Sequence, residues 1–70
     1  MSEIRSSNYY VDKDARDNGD HEVHREDCKR LPSPANREYL GNFDCYEDAV
    51  EKAEQIFSQS NGCIYCSKEC

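Results

Sequence analysis

Four side chains able to hold a borderline-soft divalent metal stand in this chain as two close pairs. His24 and Cys28 form His-x3-Cys, and Cys63 and Cys66 form Cys-x2-Cys. Each pair is short enough for one turn to aim both donors at a point, and residues 29–62 leave room for a strand and a helix between them. This arrangement constrains the fold more than any other feature, because little else in the sequence can hold a fold together. The 70 residues include only two leucines, three isoleucines, three valines and two phenylalanines, against 15 Asp and Glu and 9 Lys and Arg. At a net charge of −6, so few large apolar side chains do not offset the ordering entropy of the backbone. An ordinary hydrophobic-core domain is therefore nearly ruled out, and the expectation is a chain that is either disordered or stapled.

Metal is the expected source of the missing term, with scattered reduced cysteines in a small acidic domain, or disulfides in an exported form, as the alternatives. A structural zinc ion contributes on the order of 10–16 kcal/mol of apparent binding free energy in small peptides at neutral pH. A natural domain needs only about 5–15 kcal/mol of net stability. Three thiolates and one imidazole suit zinc better than they suit hard cations. The sequence leaves alternatives for the fourth donor. Cys70 follows Cys66 as Cys-x3-Cys, and His21 precedes His24 as His-x2-His, so either can stand in for His24. Cys45 is the fifth cysteine, and it reads as a half-buried, inert thiol at a helix start. An odd count does not suit a fully paired disulfide framework.

The first ten residues contain no apolar run of signal-peptide length, and no stretch approaches the ~20 apolar residues of a membrane span. The expectation is a cytoplasmic protein with no membrane association, in a compartment where thiols bind metal more often than they pair.

Residues 1–8 are polar and read as a flexible N-terminus, residues 9–66 as a single domain, and residues 67–70 as a tail. Tyr9-Tyr10-Val11 predicts a short strand and residues 21–24 its return, with the Asn18-Gly19 turn signal between them. Leu31-Pro32-Ser33-Pro34 breaks regular structure. Residues 37–43 predict a third strand in which Gly41 weakens the pairing or marks a bulge. Ala49, Val50, Ala53, Ile56 and Phe57 share one helical face, opposite Asp48, Glu51, Lys52, Glu54 and Gln55. Asp44 with Glu47, or Cys45 with Asp48, provides a capping-box-like start, and Asn61-Gly62 a stop, which predicts about 13 helical residues. The five tyrosines are expected to supply buried area that the aliphatic residues cannot. The fold class is α+β: a small zinc-stapled domain with a short antiparallel sheet of two or three strands and one helix in the C-terminal half.

The order of these features resembles the Ada-type metal-binding domain, including related modules appended to nucleases. Val23-His24-Arg25-Glu26-Asp27-Cys28 matches the strand leading to a first ligand pair. Residues 39–49, Tyr-Leu-Gly-Asn-Phe-Asp-Cys-Tyr-Glu-Asp-Ala, match the strand and helix start, and Cys63-Ile64-Tyr65-Cys66 the final pair. Cys45 stands where that pattern has Ser at the helix cap. The resemblance implies zinc at His24, Cys28, Cys63 and Cys66 in a compact α+β fold, and an association with nucleic acid. It also implies methyl acceptance at a zinc-bound cysteine, which the ligand set opposes. Three thiolates and a neutral imidazole leave the centre at a charge of −1, where four thiolates give −2 and a stronger nucleophile.

No nucleophile–base–acid set and no Gly-rich phosphate loop accompany the metal ligands, and four protein donors close the coordination sphere. The sequence therefore predicts a non-enzymatic module. Its expected partner is another protein, met through an acidic face of Asp44, Glu47, Asp48, Glu51 and Glu54. Nucleic acid is the alternative, against which the net charge counts because such binding depends on Lys and Arg neutralising phosphates. Lys29 and Arg30 beside Cys28 form the main basic spot.

Overall fold

The computed structural model describes residues 6–63. The elements run β1 (Ser7–Asp12), β2 (His21–Arg25), a 3-10 turn (Pro34–Asn36), β3 (Arg37–Phe43), α1 (Tyr46–Glu54) and β4 (Ser60–Gly62). The four strands form one sheet in the order β3-β1-β2-β4. β1 pairs antiparallel with both β2 and β3, and β2 pairs parallel with β4. The class is α+β as expected. The sheet departs from expectation, however, with four strands rather than two or three, and mixed rather than antiparallel.

β1 and β2 lie inside the sheet and alternate in the manner of strands with one face on a core. Tyr9, Val11 and Val23 are buried with Leu40 of β3 and with Ala49 and Ala53 of α1. Phe43, Tyr46, Val50 and Phe57 pack around this cluster. The small alanines let the helix lie close on the sheet, so six residues suffice for a core that aliphatic content alone would not predict. β1 starts at Ser7, earlier than the strand expected at Tyr9. Ser7 and Asn8 pair with Phe43 and Asn42, and Asn8 exchanges hydrogen bonds with Glu26: its N–H donates to the Glu26 carboxylate and its carbonyl accepts from the Glu26 N–H.

The loop joining β1 to β2 turns at the expected place. Gly19 has φ +91°, its N–H donates to the Arg16 carbonyl, and the Asp20 N–H donates to the Asn18 side chain. The bulge anticipated at Gly41 is present. The β1–β3 register slips between Tyr9 and Tyr10, which face Gly41 and Tyr39, and Gly41 takes φ +133°. That backbone conformation is open to glycine and closed to most side chains.

The helix is shorter than the apolar spacing predicts, with nine residues. Its N-cap is Cys45, whose side chain makes no capping hydrogen bond. The acidic first turn, Glu47 and Asp48, complements the positive end of the helix. The regular helix ends at Glu54 with Gln55 as a still-helical C-cap, and beyond it Ile56 is 38% exposed while Phe57 packs on the core. β4 occupies the segment expected to be a simple helix stop. Ser-Asn-Gly has no intrinsic strand preference, and it pairs because β2 offers an open edge.

The tyrosines divide between two roles. Tyr9 is buried and Tyr46 partly so. Tyr39, expected to be buried, is 54% exposed. It packs against Tyr10 with ring centroids 5.3 Å apart, and the Arg37 guanidinium lies 4.6 Å above the Tyr10 ring. No described helix is long and apolar enough to cross a membrane.

Candidate metal centre

His24 follows Val23 on β2, and strand alternation turns it to the sheet face opposite the helix. It is nonetheless only 1% exposed. Cys28 lies just past the end of β2, in a turn closed by two backbone hydrogen bonds: Cys28 N–H to the Arg25 carbonyl and Leu31 N–H to the Cys28 carbonyl. Cys63 follows β4 directly, and its N–H donates to the Val23 carbonyl at 2.9 Å. The parallel pairing of β2 and β4 is what creates the site. Two strands running the same way bring Cys28 and Cys63, just beyond their C-terminal ends, beside His24 near the end of β2.

The donor atoms of His24, Cys28 and Cys63 all lie within 4.8 Å of one another. The two sulfurs are 4.0 Å apart. A tetrahedral ion with Zn–S distances of about 2.3 Å would hold two thiolates roughly 3.8 Å apart, so the spacing fits that geometry. Cys63 is fully buried, and Cys28 is half-buried as a residue although within the cluster it is buried like the other two. Burial holds the His24 imidazole below its ordinary value of 6.5, against the opposing pull of the Glu22 and Asp12 carboxylates. Arg16 and Arg30 add to the lowering. A neutral imidazole is the form that ligates metal.

Of the four ligands read from the sequence, the structure brings together His24, Cys28 and Cys63. Cys66 lies outside the described residues, as does Cys70. His21, the alternative histidine, is not part of the group. Its ring stacks on Phe57 at 4.0 Å, and its Nδ1 lies 2.9 Å from the Asp12 carbonyl oxygen.

One neighbour of the group was not assigned from the sequence. Glu22 places a carboxylate oxygen 3.7 Å from His24 Nε2 and 3.3 Å from the Arg16 guanidinium. The signal was available, since residues i and i+2 of a strand share a face. Cys45 is disulfide-bonded, which corrects the reading of it as an inert thiol. Cys28 and Cys63 are the other cysteines described, and both carry thiols.

No family model matches the chain, and no curated protein or solved structure does so.

Proposed function

We infer that the chain is a small non-enzymatic module built around a structural zinc ion held by His24, Cys28 and Cys63, with Cys66 as the fourth donor. The observation that carries this reading is the convergence of one buried imidazole and two sulfurs within 4.8 Å. Four protein donors leave no open position for substrate, which suits a structural role rather than a catalytic one. The same ligand order underlies the likeness to the Ada-type domain. The test is zinc content per chain on the purified protein, repeated for His24→Ala and Cys66→Ser. One equivalent in the parent chain and loss in both variants supports the assignment. Full zinc retention in Cys66→Ser reassigns the fourth donor, and a parent chain without zinc overturns the reading.

The module's outward role is protein interaction. Asp44, Glu47, Asp48, Glu51 and Glu54 are all exposed at the start and along the outer face of α1, with the ends of the helix and its packing fixed by the sheet beneath. A face of this charge fits a basic partner surface and raises association rates by steering. The net charge of −6 opposes a nucleic-acid partner. Reversal of charge in Glu47→Lys with Glu51→Lys is expected to abolish capture of partners by the zinc-loaded chain. Anisotropy at low salt with single- and double-stranded DNA is expected to show no binding. Tight DNA binding that weakens as salt rises would reverse that assignment.

A further inference from the structure

Two oxidation states of sulfur coexist in the described chain. Cys45 is in a disulfide, while Cys28 and Cys63 remain thiols although their sulfurs are 4.0 Å apart. A disulfide needs about 2.0 Å between sulfurs, so closing this pair takes a local shift of roughly 2 Å. The short turn that carries Cys28 can make that shift without disturbing the sheet pairing that places Cys63.

We propose that Cys28 and Cys63 form an oxidative modification site guarded by the metal. The inference rests on the zinc reading above. With the ion bound, both sulfurs are held as ligands. With the ion withdrawn and a small-molecule disulfide present, they close into a second disulfide.

Cys28 is half-buried as a residue and Cys63 fully buried, so Cys28 becomes the attacking group once its turn shifts and bares the sulfur that the cluster buries, and Cys63 the resolving one. The Cys28 thiolate attacks one sulfur of glutathione disulfide, forming a mixed disulfide and releasing one glutathione thiolate. The Cys63 thiolate then attacks the Cys28 sulfur. The Cys28–Cys63 bond forms, and the second glutathione leaves as thiolate. The protein loses two electrons, the oxidant gains them, and both leaving groups take protons from solvent. The closed pair lacks two of the metal's donors, so zinc does not return until a reductant reopens the bond. Metal loss and oxidation thereby lock each other in place.

The experiment uses the full chain, zinc-loaded or treated with chelator, with metal content measured before oxidant is added. Both samples are incubated with glutathione disulfide, quenched by acid and alkylation, and mapped by non-reducing peptide mass spectrometry. The expected product of the metal-free sample is a Cys28–Cys63 cross-link that dominates other pairings, with zinc uptake lost and then restored by dithiothreitol. In the zinc-loaded sample the same product forms slower by on the order of tenfold or more, because the attacking thiolate is withheld. A metal-free product dominated by glutathione adducts, or by short-loop pairs such as Cys63 with Cys66, overturns the proposal, since loop closure in an unstructured chain favours short loops. Equal rates with and without zinc overturn the guarding role. Failure of the zinc reading itself shows separately, as a parent chain without metal at the first measurement. A Cys45→Ser sample must still form the cross-link. Its absence there would mean that the bond arose by exchange with the Cys45 disulfide.

Discussion

His24 combines three properties that seldom occur in one side chain. It is one of the largest fully buried groups, it sits beside two thiols, and it belongs to a strand whose neighbouring residue, Val23, lies in the core. Burial and metal ligation both demand its neutral form. His24→Ala is expected to weaken zinc binding by more than the roughly 10–100-fold that loss of an outer-shell partner costs, as read by competition with a chromogenic chelator. Glu22→Gln is the milder companion. It leaves the donors in place and removes the carboxylate beside the imidazole, and a loss toward the lower end of that range is expected. The lowered imidazole value also sets a direction with pH. Above 6.5 the histidine is neutral in both folded and unfolded chains, and its contribution is fully present. As pH falls below 6.5 the unfolded chain takes up the proton first, so stability declines until the folded-state value is passed. Urea midpoints of the chelator-treated chain at pH 7.5 and pH 5.5 check this, with the lower midpoint at the lower pH.

The elements show where local signals are decisive and where they are overridden. Gly41 sits at the β1–β3 bulge with φ +133°, and an added Cβ would lie 3.2 Å from the Phe43 ring. Gly41→Ala is therefore expected to cost about 1–3 kcal/mol, a fall of roughly 4–8 °C in melting temperature per kcal/mol. The helix illustrates the opposite case. The apolar spacing through Ile56 and Phe57 continues a helical period, yet the chain turns out after Glu54. The alternative use of that stretch is stronger. Phe57 stacks on His21, the Ser60 hydroxyl donates to the Phe57 carbonyl, and the Gln59 side chain donates to the Asn18 carbonyl and the Asp20 carboxylate. These contacts tie the β1–β2 loop to the approach of β4, and they exist only once both segments are in place.

At the scale of the whole molecule, the small apolar cluster is assisted by a disulfide and, on the reading proposed above, by a metal. The disulfide at Cys45 anchors the helix start, and the proposed metal joins the ends of β2 and β4. Cys45→Ser is expected to cost about 2–5 kcal/mol, as read by thermal melting, even though Ser is the better cap residue. Chelation is expected to lower the melting temperature independently. At free zinc a thousandfold above its dissociation constant, the metal contributes about 4.1 kcal/mol. With one staple gone the sheet and the other staple remain, so each loss loosens the fold and only their combination is expected to abolish the cooperative transition.

The three antiparallel strands, the turn at Gly19, the irregularity at Gly41, the exposed acidic helix face and the grouping of His24, Cys28 and Cys63 were legible from residue order alone. Each depends on interactions within a few positions: alternation, turn chemistry, and the chelating reach of a short spacer. The parallel strand β4, the early end of α1, the exposure of Tyr39 and the oxidation of Cys45 were not. A Ser-Asn-Gly segment becomes a strand only when β2 presents an unpaired edge, and a cysteine becomes half of a disulfide only when another sulfur arrives beside it. Those outcomes follow from partners far apart in the chain, so they were decided by the assembled sheet rather than by local sequence.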